Sequence, residues 1–259
     1  IGDHDVTENP IDAKRLIGYL PESAPLYTDM TVEGFLGFCA EVRGINGVEK
    51  GKAIDRAIEM CFLKQVRHQS VDTLSKGYRH RTCFAQSIIH DPDILVMDEP
   101  TDGLDPNQKN EMRSLIRRMG QTKAIIFSTH ILEEVEPACT MAIIIDQGKV
   151  VANGTPSELK SKSDLANSYV VSVSETDSST VRDQLGTLIQ AAKVTLVDDK
   201  APNITARVFP KNEVTDGELG QAIFDLASKN SWKVSEIKKE EGRLDDVFSN
   251  ITFSETETN

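Results

Sequence analysis

The 259-residue sequence has no apolar run near the roughly 18 residues that a membrane-crossing helix needs. Its longest apolar stretches, Ile94–Met97, Ala124–Phe127 and Met141–Ile145, have the length of buried strands. A membrane role is therefore expected to be peripheral. Paired cysteines are also missing. Cys39, Cys61, Cys83 and Cys139 are scattered with no CxxC, which argues against metal ligation and for reduced thiols. Positive charge is in short supply: 29 Lys and Arg face 41 Asp and Glu, a formal net charge of −12. Such a surface lacks the basic footprint that nonspecific nucleic-acid binding or docking on anionic lipid requires. No segment has the form G-x-x-x-x-G-K-[ST], the loop whose backbone amides and Lys cradle phosphates. Gly51-Lys52 and Gly148-Lys149 are the only Gly-Lys pairs, and neither is followed by Ser or Thr. Ile1-Gly2-Asp3-His4 has neither an initiator Met nor the features of a signal peptide.

The unbroken run Ile94-Leu95-Val96-Met97 suits a central strand of a parallel sheet covered on both faces. Ala124–Ser128 and Ala142–Asp146 repeat the pattern. Between the first two lies Asn107–Gly120, with Met112, Leu115, Ile116 and Met119 at helical spacing. This alternation predicts an α/β fold with a parallel sheet. Val32–Val42 and Lys50–Leu63 are helical by periodicity with no strand between them, so about 31–90 reads as a helical insert on that core. Gly148 turns the chain into a short strand, Lys149–Ala152, and Thr155–Leu159 begins a short helix. The polar stretch 160–168 reads as a linker between domains at 1–159 and 169–259. In the second, strands Tyr169–Ser174, Val194–Val197, Ile204–Phe209 and Trp232–Ile237 alternate with helices Ser179–Ala192 and Asp216–Lys229. The order β-α-β-β-α-β predicts a small ferredoxin-like α+β domain. Leu244–Ile251 closes it with an amphipathic helix, and Ser254–Asn259 is a polar tail.

Chemistry concentrates in the first part. Ile94–Met97 delivers Asp98 and Glu99 to the carboxyl edge of the sheet, where α/β proteins bind ligands. Magnesium takes carboxylate and water oxygens together with substrate phosphates, a task that suits Asp98. Glu99 stands one residue further on, placed to polarise an attacking water. Taken alone, two acids ending a strand suit a helix cap equally well. Upstream, Ser75 and Gly77 in Leu74-Ser75-Lys76-Gly77-Tyr78 sit where a loop becomes a helix. A helix N-terminus there is an anion site, although Ser75 in isolation reads as a plain N-cap. Downstream, Ser128-Thr129-His130 ends the next strand, and Glu22 follows the extended Gly18–Leu20.

The series Glu22, Leu74–Tyr78, Ile94–Pro100, Gly103–Pro106 and Ser128–His130 resembles the ABC ATPase family from the Q-loop onward. Leu74–Tyr78 looks like the signature motif, Ile94–Glu99 like Walker B, Gly103–Pro106 like the D-loop and His130 like the H-loop switch. The resemblance covers about 1–159. It implies a partial P-loop NTPase (RecA-like) core with a helical subdomain, using ATP and Mg2+. It implies that Asp98 and Glu22 support the metal, Glu99 is the catalytic base and His130 senses the γ-phosphate. Contacts to ATP fall to Ser75, Lys76, Gly77, Asp105 and Glu22, with Ser75 and Gly77 meeting nucleotide held by a second copy. Lys76 and Tyr78 stand where the family usually has Gly and Gln, and Glu22 where it has Gln. These variants, and the ending Arg243–Thr252, resemble the ABC-2-type exporter branch, including the gliding-motility-type ATPases. That branch implies a homodimer on the cytoplasmic face of the cell membrane, reaching the membrane only through an ABC-2-type permease touched near 22–44. The family places the phosphate loop before the Q-loop, and Ile1–Val6 falls where the strand after that loop's helix belongs. The expectation is an N-terminally truncated ATPase, inactive alone. The alternative is a soluble ABC ATPase acting on nucleic acid or ribosomes, which the acidic balance and single cassette disfavour.

Overall fold

A computed structural model describes residues 1–23, 25–199, 203–215 and 217–253, with side chains described as far as 249. In chain order the elements are α1 (Pro10–Arg15), β1 (Ile17–Leu20), α2 (Val32–Val42), α3 (Gly47–Met60), α4 (Lys76–Ile88), β2 (Ile94–Asp98), α5 (Pro106–Met119), β3 (Ala124–Ser128) and α6 (Val135–Ala138). They continue with β4 (Ala142–Asp146), β5 (Lys149–Gly154), α7 (Pro156–Lys160), β6 (Tyr169–Ser174), α8 (Ser178–Gly186), β7 (Ala191–Asp198), β8 (Asn203–Pro210), α9 (Glu218–Lys229), β9 (Lys233–Lys239) and α10 (Leu244–Phe253). By contacts the chain divides into Ile1–Cys139 and Thr140–Asn259.

In the first unit, β1, β2 and β3 form a parallel sheet in that order, with Tyr19 opposite Val96 and Val96 opposite Ile126. Side chains alternate across such a sheet. One face turns Leu20, Leu95 and Met97 into a core shared with Phe35 and Leu36 of α2, Phe84 of α4 and Leu115 of α5. The helical stretch and the sheet thus share one core. The opposite face carries Tyr19, Val96 and Ile126, and the two outer residues are 51% and 66% exposed. The expected cover on both faces is therefore not met. Ile1–Val6 is not a strand: Gly2 takes a left-handed φ of +56° and the Asp5 carboxylate accepts from the Thr7 and Glu8 amides, closing a turn.

The second unit holds two sheets. β4 is not part of the parallel sheet; it pairs antiparallel with β5. The two-residue link Gln147-Gly148 has both φ angles positive (+47° and +78°), the conformation of the tight hairpin turns that match strand twist. The other sheet has the order β7-β8-β6-β9 with every neighbour antiparallel. Val171, Val173, Ile204, Ala206 and Val208 face Val181 and Leu185 of α8 and Leu219 and Ile223 of α9. This is the predicted ferredoxin-like arrangement. Helix α8 stops at Gly186, short of the expected Ala192, because Ala191 already belongs to β7. The stretch 160–168 is packed rather than extended. Ser163 and Ser168 are buried, the Ser163 hydroxyl bonds Asp246, and the Asn167 amide donates to the Glu240 carbonyl. Of the closing helix's expected packing face, Leu244 and Val247 are buried and Phe248 is exposed; the side chain of Ile251 and the tail Ser254–Asn259 lie outside the described residues.

Candidate functional site

Strand β2 ends at Asp98 because Glu99 turns out of it with a φ of +47°. A positive φ is uncommon for a residue with a side chain and costs about 1–3 kcal/mol where structure enforces it. The enforcement comes from β3 and the turn that follows. The Glu99 amide lies 3.3 Å from both the carbonyl and the hydroxyl oxygen of Ser128. The Asp102 amide donates to the Glu99 carbonyl at 3.0 Å. Held this way, Glu99 Oε1 accepts from the His130 amide at 3.0 Å and meets the ring Nδ1 at 2.8 Å. The ring stands in the open while the carboxylate is largely covered, with side-chain exposures of 72% and 15%. The hydrogen bond and charge of Glu99 hold the His130 imidazole above its ordinary range. Glu99 Oε2 is buried and, among the described residues, has no partner.

Asp98 stands half-buried beside Ser128, whose hydroxyl donates to Oδ1. Register places Leu20 opposite Met97, so Glu22 follows β1 at the same sheet edge; it is exposed. Among the described residues no cluster of three His, Cys, Asp or Glu side chains is suited to hold a metal. The sparse carboxylate edge fits magnesium, which keeps several waters and substrate oxygens and asks for one or two protein carboxylates.

The second component is the start of α4. Ser75 is its N-cap, and the Ser75 hydroxyl accepts from the Tyr78 amide at 3.3 Å. The remaining first-turn amides of such a helix point outward with no intrahelical acceptor. Lys76 reaches across to Asp102, Nζ to Oδ2 at 2.8 Å. It lies over Gly103, where a Cβ would come within 2.4 Å of the Lys76 chain and where φ is +68°. Gly77 is buried against Gln108, whose side-chain oxygen would lie 2.6 Å from an added Cβ. Asp105 caps α5, its carboxylate accepting from the Gln108 amide at 2.9 Å. The fold thus brings Asp98, Glu99 and His130 together, sets Lys76 against Asp102 and Gly103, and packs Gly77 on Gln108.

Three residues have contacts at the site that the sequence motifs do not specify. Ser128 ties Asp98 to Glu99. Glu134, buried, accepts from the hydroxyl of buried Thr101 and from Lys109 at 3.3 Å, which anchors the turn after His130. His80, one turn into α4, is 4% exposed. An acidic residue four positions after His130 and a His one turn after Lys76 were the available signals, and neither says what it faces.

Residues 1–102 match the ABC transporter family. The chain is 28% identical over 241 residues to the uncharacterized ABC transporter ATP-binding protein YxlF of Bacillus subtilis, covering 93% of this chain and 77% of that protein. It is 31% identical over 163 residues to the linearmycin resistance ATP-binding protein LnrL of the same organism, covering 62% of this chain and 52% of LnrL. A solved ATP-binding subunit of an ABC transporter superposes with a TM-score of 0.56 at 25% identity, covering 62% of this chain and 67% of that one. Residues 1–102 therefore resemble the ABC transporter family, and the chain carries the α/β fold of ABC ATPase subunits.

Proposed function

We propose that this chain is the ATP-hydrolysing subunit of an ABC-2-type exporter, working as a head-to-tail homodimer at the cytoplasmic face of a separate permease. One observation carries the reading: Glu99 commits one carboxylate oxygen to His130 and keeps the other buried and, among the described residues, without a partner at the carboxyl edge of β2. A carboxylate that merely ended a strand would spend its oxygens on helix amides, as Asp105 does. The free oxygen is the acceptor for the proton of an attacking water. His130, its ring proton directed by Glu99, meets the γ-phosphate through its other nitrogen. Asp98, with Glu22 on the same edge, holds Mg2+, which neutralises phosphate charge when bound. Ser75, Lys76, Gly77 and Asp105 receive the phosphates of nucleotide carried by the second copy. Lys76 exchanges Asp102 for phosphate in doing so. The name of LnrL, a resistance protein, supports export. Tyr27, packed edge-on against Phe38 at 5.4 Å with both rings exposed, supports a permease contact near 22–44.

These 259 residues contain no G-x-x-x-x-G-K-[ST] loop, so ATP turnover by this chain alone is expected to stay at background. In an assembly that supplies such a loop, Glu99→Gln should lower turnover by about 10²–10⁴-fold, the contribution of a positioned general base. A Glu99→Gln assembly that hydrolyses ATP at the unmodified rate would remove Glu99 from the reaction.

A further inference from the structure

His80 has no part in the roles above, yet its surroundings are specific. Its ring is 4% exposed, and among the described residues neither ring nitrogen has a hydrogen-bond partner. A neutral imidazole always carries one N–H, and a buried donor left without an acceptor is disfavoured. The groups facing the ring are the Lys76–Asp102 ion pair and the Glu99 backbone carbonyl. The ion pair closes on itself at 2.8 Å and brings no net charge to the ring. Burial keeps the ring neutral, pushing it below the ordinary imidazole range. The Glu99 carbonyl has two acceptor positions, and the Asp102 amide occupies one at 3.0 Å. Glu99 itself sits at a φ of +47°, a conformation that persists only where neighbours hold it.

We propose that His80 is a positioning residue for Glu99: its ring N–H takes the second acceptor position of the Glu99 carbonyl and fixes the peptide that aims the carboxylate at His130. Helix α4 begins at the phosphate-facing Lys76, so His80 also joins that helix to the base. Asp102 and Lys76 hold the same turn, through the Asp102 amide and through Lys76 packed over Gly103. This role rests on reading Glu99 as the base.

The test uses the 259-residue chain without nucleotide and reads the His130 ring titration by proton–nitrogen NMR. The carboxylates acting on that ring are Glu99 first, then Asp102 and Glu134. In the unmodified chain and in His80→Gln, which keeps a side-chain N–H donor, the His130 midpoint should stay raised. In His80→Leu, which fills the space without a donor, it should fall toward the ordinary value of about 6.5. A raised midpoint in folded His80→Leu, or an equal fall in both variants, would overturn the role. Should Leu prevent folding, the unmodified chain decides. A scalar coupling across the hydrogen bond, from the His80 ring nitrogen to the Glu99 carbonyl carbon, supports the role, and its absence overturns it. No turnover enters this measurement. An assembly indifferent to Glu99→Gln would therefore remove the base while leaving the His80 result to stand separately.

Discussion

Gly18 is the position in β1 where a single methyl group would do most damage. A Cβ there would lie 2.2 Å from the Ser87 carbonyl oxygen of α4, 2.6 Å from Leu95 Cδ2 and 2.8 Å from Pro92 Cγ. The Leu95 side chain can rotate away. The Ser87 carbonyl cannot, because it is backbone of a helix whose side chains at that point are buried. Overpacking a core costs about 1–3 kcal/mol, and a backbone collision more than 1 Å inside contact distance puts Gly18→Ala at or above the top of that range. Gly51 supplies the control. It lies inside α3 with nothing within 4 Å of an added Cβ, so Gly51→Ala should stabilise the helix by about 0.5–1 kcal/mol. The two substitutions, chemically identical, should differ by about 4 kcal/mol, or roughly 10³-fold in the opening equilibrium at 1.4 kcal/mol per decade. Amide hydrogen exchange at Tyr19, Leu95 and Met97 reads that difference. The one tryptophan, Trp232, belongs to the second unit, so its emission should be unchanged in both variants. Exchange at β1 and β2 no faster in Gly18→Ala than in Gly51→Ala would refute the close approach of β1 to α4.

His90 predicts an acid sensitivity. Burial, the largest cause, and the nearby Arg43 cation push its ring down to about 4, whereas in the unfolded chain it titrates near 6.5. The unfolded state therefore binds the proton first. The stabilisation is complete above about pH 6.5 and is lost as pH falls from there to about 4. A shift of that size corresponds to about 3 kcal/mol, and partial exposure of the ring reduces it to about 1–2 kcal/mol. Urea midpoints at pH 7 and 5 should converge in His90→Gln; an equal acid loss in the variant would exclude His90 as the cause. Glu134→Ala strips the acceptor from buried Thr101 and from Lys109, which is 26% exposed. Removing one member of a buried pair costs about 3–5 kcal/mol, and access of Lys109 to water lowers the expected loss to about 2–3 kcal/mol, measured by thermal unfolding. Faster exchange confined to the turn after His130 should accompany it, and an unchanged turn would deny Glu134 its anchoring role.

What could be read along the chain was local. The periodicity of Val32–Val42 matches α2 residue for residue. The β-α-β-β-α-β order expected from residue 169 onward also holds over 169–239, because alternation and helical spacing are properties of adjacent residues. The apolar run Ala142–Asp146 misled because a strand in a hairpin and a strand in a parallel sheet can carry the same residues. The decision lay in the positive φ angles of Gln147 and Gly148 and in the pairing with β5. Site residues divide the same way. Asp98 and Glu99 were visible as the acidic end of an apolar strand. The bonds that give them roles span about 30 positions, to Ser128, His130 and, through Thr101, Glu134. Nothing in a single sequence specifies such partners.

Several motif residues turn out to have ordinary structural duties. Ser75 caps α4, Asp105 caps α5, Lys76 pairs with Asp102, and Ser128 bonds Asp98. Had every polar group in the constellation been satisfied this way, a purely structural account would suffice. Glu99 breaks the pattern. Its conformation is strained, its neighbours hold it there, and the result is a buried carboxylate oxygen with no donor among the described residues. Leaving a buried charged acceptor unpaired costs more than the net gain from one ordinary hydrogen bond, so a fold shaped by stability alone would turn that oxygen to an amide or to solvent. On the proposed reading, that unpartnered oxygen is reserved for a water delivered during the reaction. On the same reading, the bond that commits Oε1 to His130 leaves Oε2 as the oxygen to receive the proton. The division of labour between the two oxygens then follows from the direction in which the Glu99 peptide is turned, and Ser128, Asp102 and, as proposed, His80 serve the chemistry by holding that peptide.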